Sequence, residues 1–385
     1  MDESFHKYFS INRYFMISTG SWPYQTGISA IAAQLCFILQ HISIIVPEII
    51  KLFNSTDDID LVFESVPPIF YNLLIAVMFV CLTYNTRKTK CFLEKINGDW
   101  LSLNNAEDRQ ILSNYAEVGI LMSWVYIVSC YSTLLLYCAV PLEPIIMDFF
   151  IPLNESRPKI PLYRTEFFVD ENKYFYPILL HNFLTTILGM FALVNLDIYI
   201  ATTTQHICGM LAILGRRLQN IQKEKIVGKL EDGFFHETVT CVKLHINILD
   251  LLKIMTDTIS FSFAILLVIL LAMLTFTGLV VVIKWGQWTE VIRFVLFTSA
   301  ELFHIFCYSY HSQNLLNHHE QLFNAIQFSG LYESSIRTRR LINIMLLRCS
   351  RPFLILCLIF PLSMQNFTLI VKTSFSYFTA VKSVR

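Results

Sequence analysis

Seven long apolar stretches constrain this 385-residue chain more than any other feature. A helix needs about 20 mainly apolar residues to cross about 30 Å of hydrocarbon. The stretches fall at 28–50, 66–84, 118–142, 174–200, 259–283, 291–310 and 352–381, and are called S1 to S7 here. Lipid offers a backbone no hydrogen bonds, so segments of this length must cross as helices. S5 is the most apolar, with FSFAILLVILLAMLTFTGLVVVI, and S4 the most polar, with His181, Asn182, Asn195 and Asp197. The chain is 55% hydrophobic and 15% charged, against about 45–50% and about 25% in soluble domains. The expected fold is therefore an all-α integral membrane protein of seven transmembrane helices.

Basic residues set the orientation. Lys7 and Arg13 precede S1, and Arg87, Lys88, Lys90, Lys95 and Arg109 lie between S2 and S3. Arg216, Arg217, Lys223, Lys225, Lys229, Lys243 and Lys253 lie between S4 and S5, and Arg337, Arg339, Arg340, Arg348 and Arg351 between S6 and S7. These connections hold 19 of the 29 Lys and Arg, which places them in the cytoplasm. The N-terminus is then cytoplasmic and the C-terminus extracellular. The sequons at Asn54 and Asn154 fall in outside loops on this reading, where glycosylation can occur. The N-terminal stretch lacks the charged start and cleavage site of a signal peptide, so S1 is expected to deliver the chain to the membrane. None of the ten cysteines lies in an outside loop, so no disulfide is expected there.

Leu211, Leu214, Leu218 and Ile221 repeat at helical spacing after S4, as do Leu244, Ile248, Leu251 and Met255 before S5. S4 and S5 are thus expected to continue as cytoplasmic helices. With 311–351, they would form an anchor bundle beneath a membrane domain at 1–310, leaving 352–385 for S7.

Catalytic motifs are missing: there is no Gly-rich phosphate loop, HExxH or CxxC. No enzyme activity or cofactor is expected. Acidic and basic residues balance at 29 each, so no basic field favours nucleic acid. His304, His311 and His318 are two helical turns apart, about 11 Å, too far for one metal. They read as polar packing. Glu301, His304 and Asp197 lie inside the predicted spans, where an ionisable residue is either functional or an interhelical polar contact; modest packing is the simpler role. The outer halves of S2, S3, S4 and S6 carry Phe70, Leu73, Thr133, Tyr137, Leu184, Leu188, Phe294 and Thr298. This apolar and aromatic set suits a small-molecule pocket, and equally suits helix packing. In S7, Thr373, Tyr377, Ala380 and Val384 share one face, as in a pore-lining helix or a close helix contact.

The run from Arg348 to Val384, RCSRPFLILCLIFPLSMQNFTLIVKTSFSYFTAVKSV, resembles the last helix of insect odorant receptors. The marks are Arg-x-x-Arg-Pro, Pro-Leu-Ser, Phe-Thr-x-Ile-x-Lys and Ser-Tyr-Phe. Asp197, His206, Gly209, Leu214, Arg217 and Leu218 follow the family pattern after S4. Cys241 with His245, and Phe306-Cys307-Tyr308, match it before S5 and at the end of S6. The resemblance implies a plasma-membrane subunit of an odorant-gated, nonselective cation channel in a sensory neuron dendrite. It also implies a heterotetramer with a shared coreceptor, embedded in membrane lipid. A small volatile odorant would bind in the outer half of S2–S6. Permeant cations would pass S7, with Thr373, Tyr377, Ala380, Ser383 and Val384 at the pore. The short S4–S5 loop is similar to that of the variable, ligand-binding subunits rather than the coreceptor. Ala380 stands where the coreceptor carries a bulky aliphatic gate residue. A G-protein-coupled receptor would need the reverse orientation, and a secondary transporter would show inverted repeats.

The charge asymmetry makes a direct prediction. An epitope tag at the N-terminus should bind antibody only after permeabilisation, and one at the C-terminus in intact cells. Surface labelling of the N-terminal tag on intact cells reverses the orientation.

Overall fold

The computed structural model describes residues 2–151, 157–226, 231–329, 334–351, 356–357, 360–361 and 363–384. Side chains at 222–226, 231–234, 356–357, 360–361, 377–378 and 380–384 are outside the description. The sequon at Asn154 lies outside the described residues.

Twelve helices are described: α1 (Glu3–Tyr8), α2 (Ser10–Ser18), α3 (Gly27–Asn54), α4 (Ile59–Tyr84), α5 (Thr86–Ser102), α6 (Ala106–Ala139), α7 (Glu143–Phe150), α8 (Phe175–Ile226), α9 (Glu231–Ile283), α10 (Trp288–Gln327), α11 (Ile336–Cys349) and α12 (Met364–Val384). Their starts follow from capping chemistry. The Asp58 carboxylate accepts from the amides of Asp60 and Leu61 at 3.0 and 3.3 Å, Asn105 from Glu107 at 3.0 Å, and Ser335 from Thr338 at 3.3 Å. Asp2 caps α1 through the Ser4 amide at 2.8 Å. Burial is the largest single influence and opposes its charge, yet that amide and the Arg109 guanidinium together hold its carboxyl below the usual range.

Six of these helices are long and apolar enough to span a membrane, and they contain S1 to S6. With α12 they make the seven-span bundle. α8 and α9 hold 52 and 53 residues, about 80 Å each at 1.5 Å per residue. They outrun the bilayer and continue into the cytoplasm, as the apolar spacing of S4 and S5 predicts. Leu211, Leu214, Leu218, Ile221, Ile248, Leu251 and Met255 are buried there, and Leu244 is half-buried. α10 likewise passes residue 310 without a break.

S7 begins later than the sequence suggests. The helix starts at Met364 rather than at 352, and Leu356–Cys357 pairs antiparallel with Phe360–Pro361 ahead of it. Residues 352–355, 358–359 and 362 of the expected span lie outside the described residues.

Two further features have no counterpart in the hydropathy pattern. α1 and α2 tuck beneath the bundle, where Tyr8 stacks on Trp100 at 5.4 Å and the Asn12 amide donates to Thr202 Oγ1 at 3.1 Å. α6 and α8 approach closely at two glycines. A Cβ on Gly119 would sit 3.3 Å from Gln205 Cβ, and one on Gly209 only 2.8 Å from Leu112 Cδ1.

Below the membrane, charge pairs clamp the long helices. Asp108 of α6 is buried and accepts from Arg216 at 2.9 Å and from Arg217 at 3.0 and 2.8 Å. Asp99 of α5 faces His206 at 2.9 Å and accepts from Asn247 at 2.6 Å, joining α5, α8 and α9. Replacing Asp108 with Ala removes the acceptor of Arg217 and leaves Arg216 only Glu107, at a cost of about 1–3 kcal/mol. The thermal midpoint of detergent-solubilised protein should fall for Asp108→Ala. It should stay unchanged for Leu101→Ala, at a site 60% exposed.

Candidate functional site: a cavity among α4, α6, α8 and α10

The outer half of the bundle encloses a nearly apolar cavity of about 90 Å³. One water needs about 10–15 Å³ by this measure, so the space suits a small organic molecule of several heavy atoms. Its walls are stripes at helical spacing. α6 contributes Tyr126, Cys130, Thr133, Leu134 and Tyr137, and α10 contributes Phe297, Ala300, Glu301 and His304. α8 adds Thr186, Met190 and Leu193, α4 adds Tyr71 and Leu74, and α9 adds Leu270 and Met273. Tyr163, from the loop before α8, completes the lining.

The cavity's outer end is closed by that loop. Arg293 of α10 is buried and donates to the Leu162 carbonyl and to the Tyr137 hydroxyl, the latter at 3.2 Å. Its guanidinium lies over the Tyr137 and Phe294 rings at 5.3 and 5.5 Å, a cation–π arrangement. The loop is tied at further points. Arg164 pairs with the buried Glu64 at 3.2 Å, Glu166 N donates to the Pro47 carbonyl at 3.0 Å, and Thr186 donates to the Tyr163 hydroxyl at 3.0 Å.

The inner end is polar. The Tyr126 hydroxyl donates to Asp197 and lies 2.7 Å from His304 Nδ1, while His304 Nδ1 lies 3.2 Å from Asp197. This cluster joins α6, α8 and α10, the packing role expected of Asp197 and His304. Both His304 and Glu301 also line the cavity. No group of three or more His, Cys, Asp or Glu could hold a metal among the described residues.

Of the pocket residues expected from the sequence, Thr133 and Tyr137 lie on this wall. Phe70 packs against Phe276 with ring centroids 6.0 Å apart, and Leu73, Leu184 and Leu188 are exposed on the single chain. Phe294 is buried beside Arg293, and Thr298 is half-buried, donating to the Phe294 carbonyl at 2.8 Å. The offset is rotational. The cavity sees Tyr71 and Leu74 where Phe70 and Leu73 were expected, and one residue turns a helix face by about 100°. Helical spacing could have linked Phe297, Ala300, Glu301 and His304 as one stripe, but only the ionisable pair stood out. In S7, Thr373 is half-buried on α12, and the side chains of Tyr377, Ala380, Ser383 and Val384 lie outside the described residues.

Together these features define a multi-pass membrane receptor built around a ligand-sized apolar chamber. The 7tm Odorant receptor family profile matches residues 58–375, and the chain belongs to that family. It is an odorant receptor, which leaves no support for the G-protein-coupled or transporter readings. Odorant receptor 13a of Drosophila melanogaster is 23% identical over 355 residues, covering 86% of this chain and 82% of that protein. The insect olfactory receptor OR5 from Machilis hrabei, solved in complex with eugenol, has the same fold, with a TM-score of 0.81 at 16% identity over 100% of both chains. A second structure of that receptor gives a TM-score of 0.78 at 16% identity, again over 100% of both.

Arg293→Met removes every hydrogen bond that holds Leu162 to α10. A cysteine placed at the buried Thr165 should then react faster with a membrane-impermeant thiol reagent than in the Arg293 background. An unchanged rate means the loop is held by its other ties.

Proposed function

We propose that this chain is the variable, odorant-binding subunit of a heteromeric, odorant-gated nonselective cation channel. It assembles as a tetramer with a coreceptor in the plasma membrane of sensory neuron dendrites. The odorant binds in the cavity among α4, α6, α8 and α10. One observation carries this reading: α10 lines the cavity and also touches the proposed pore helix. Phe297, Ala300, Glu301 and His304 face the cavity, and a short step further Phe306 meets Phe367 of α12 with ring centroids 5.9 Å apart. The Met364 amide of α12 also donates to Gln313 of α10 at 3.4 Å. A ligand that favours one position of α10 can therefore bias α12, provided it binds the two states with different affinity. OR5 was solved with eugenol, a small organic molecule, and a ligand of that class suits the apolar lining found here.

The division into a membrane domain at 1–310, a cytoplasmic anchor at 311–351 and a pore element at 352–385 belongs to this proposal. α12 packs one face on α9 and α10 and leaves Leu369 and Phe375 exposed on the single chain. That face is available to neighbouring subunits around a pore lined by Thr373, Tyr377, Ala380, Ser383 and Val384. Ala380 is too small to close such a pore alone, so the partner subunits supply the seal. Fold-level kinship and the cavity both support the reading.

Expression with a coreceptor should give odorant-evoked cation current, and expression alone little or none. Phe297→Ala removes a cavity wall and should shift potency unequally across odorants, by roughly tenfold for those that touch the ring. The response to a direct coreceptor agonist should survive, which separates lost binding from lost assembly. Odorant currents from the chain alone, or equal shifts for every ligand with loss of the agonist response, defeat the proposal.

A further inference from the structure

The cavity carries a polar imbalance that its apolar walls do not explain. Glu301 Oε1, His304 Nε2 and the Tyr71 hydroxyl belong to cavity-lining side chains, are buried, and have no hydrogen-bond partner among the described residues. Each is otherwise well placed. Glu301 Oε2 accepts from Thr277 at 3.3 Å, and His304 Nδ1 is held by Tyr126 at 2.7 Å. Buried polar atoms in native proteins are nearly always paired, and each exception calls for a reason. Glu301 and His304 stand one turn apart on the same face of α10, so one small group can reach both. The surrounding walls offer Phe297, Leu134 and Met190 to an apolar body.

We infer that the preferred odorants are small alcohols or phenols whose hydroxyl seats between Glu301 and His304. The inference rests on the cavity being the odorant site. A hydroxyl both gives and takes a hydrogen bond. Its single proton goes to one of the two atoms while a lone pair takes a hydrogen bond from the other, so it pairs both wherever one of Glu301 Oε1 and His304 Nε2 donates and the other accepts. An ether can only accept, and a ketone can only accept, so each leaves one of the two atoms unpaired whenever that atom requires a donor. A site built on buried polar atoms rejects a ligand lacking the matching group far more strongly than an apolar wall rejects a missing methylene.

The test uses the full chain expressed with a coreceptor. Benzyl alcohol, phenethyl alcohol and hexanol are each compared with their methyl ethers and with benzaldehyde, acetophenone and hexanal. The alcohols should be more potent than their ethers and the carbonyl compounds by at least about tenfold. Glu301→Leu and His304→Leu should remove most of that preference, bringing each alcohol to within about threefold of its own ether in the same variant. Glu301→Gln, which keeps a donor and an acceptor, should retain part of it. A direct coreceptor agonist reports folding and assembly for every variant, and Glu301→Gln and His304→Gln serve where a leucine variant gives no agonist current. Ethers or carbonyl compounds matching the alcohols overturn the inference, as does an alcohol preference that survives these substitutions. A receptor that answers none of the alcohols overturns it too. Filling the cavity with Ala300→Phe separates the two levels. If odorant responses ignore Ala300→Phe, the cavity is not the odorant site and both readings fall. If they are lost while the alcohol preference was absent, only the hydroxyl assignment falls.

Discussion

Residues 192–211 of α8 are buried without a break. An α-helix buried over twenty successive residues is enclosed on every side, and α8 is polar on several of them. Asn195 and Asp197 within the span cannot meet lipid without a cost of several kcal/mol for each group left unsatisfied, and Thr202, Gln205 and His206, buried just beyond it, equally need partners. The neighbouring helices are therefore arranged to answer them. Asn195 donates to Thr19 and Ser21 at 2.9 and 3.0 Å, Thr202 accepts from Asn12, Asp197 accepts from Tyr126, and His206 faces Asp99. The N-terminal segment, α5, α6 and α10 are all drawn to α8 by one requirement. That requirement explains why the most polar of the seven stretches sits at the centre of the bundle.

The same arrangement separates two jobs within one set of helices. In the cytoplasmic half, α8 meets α6 across Gly119 and Gly209 with little space, and the Asp108 and Asp99 clusters lock the contact. In the outer half the same helices line the cavity with Thr133, Tyr137, Thr186 and Met190. The Tyr126–Asp197–His304 cluster marks the boundary. α10 and α9 both line the cavity and both pack against α12.

Much of this was legible beforehand. Hydropathy pointed to six stretches that are each found in a helix long and apolar enough to span a membrane, because lipid enforces length and composition directly. The Lys and Arg distribution set orientation. Apolar repeats after S4 and before S5 foretold helices that run past the membrane, and α8 and α9 do so. S7 differs where Leu356–Cys357 and Phe360–Pro361 pair as strands ahead of the helix from Met364, because hydropathy reads apolar residues alike in a strand and in a helix. α1 and α2 were missed because short helices at a membrane face carry no spanning signal.

The amino-acid sequence by itself determined that the chain crosses a bilayer as helices, which way it faces and where polar residues would demand partners. Tertiary structure alone decided which face of each helix looks inward. In a soluble helix the apolar stripe marks the buried face, but in lipid both faces are apolar and the stripe vanishes. Thr133 and Tyr137 therefore came to the cavity wall while Leu73, Leu184 and Leu188 turned outward, on helices whose existence was never in question. The lid formed by Leu162 and Tyr163 was equally invisible, since Arg293 reaches across more than a hundred residues to hold it. Rotation and long-range closure are set by packing against neighbours, and no local pattern along the chain encodes them.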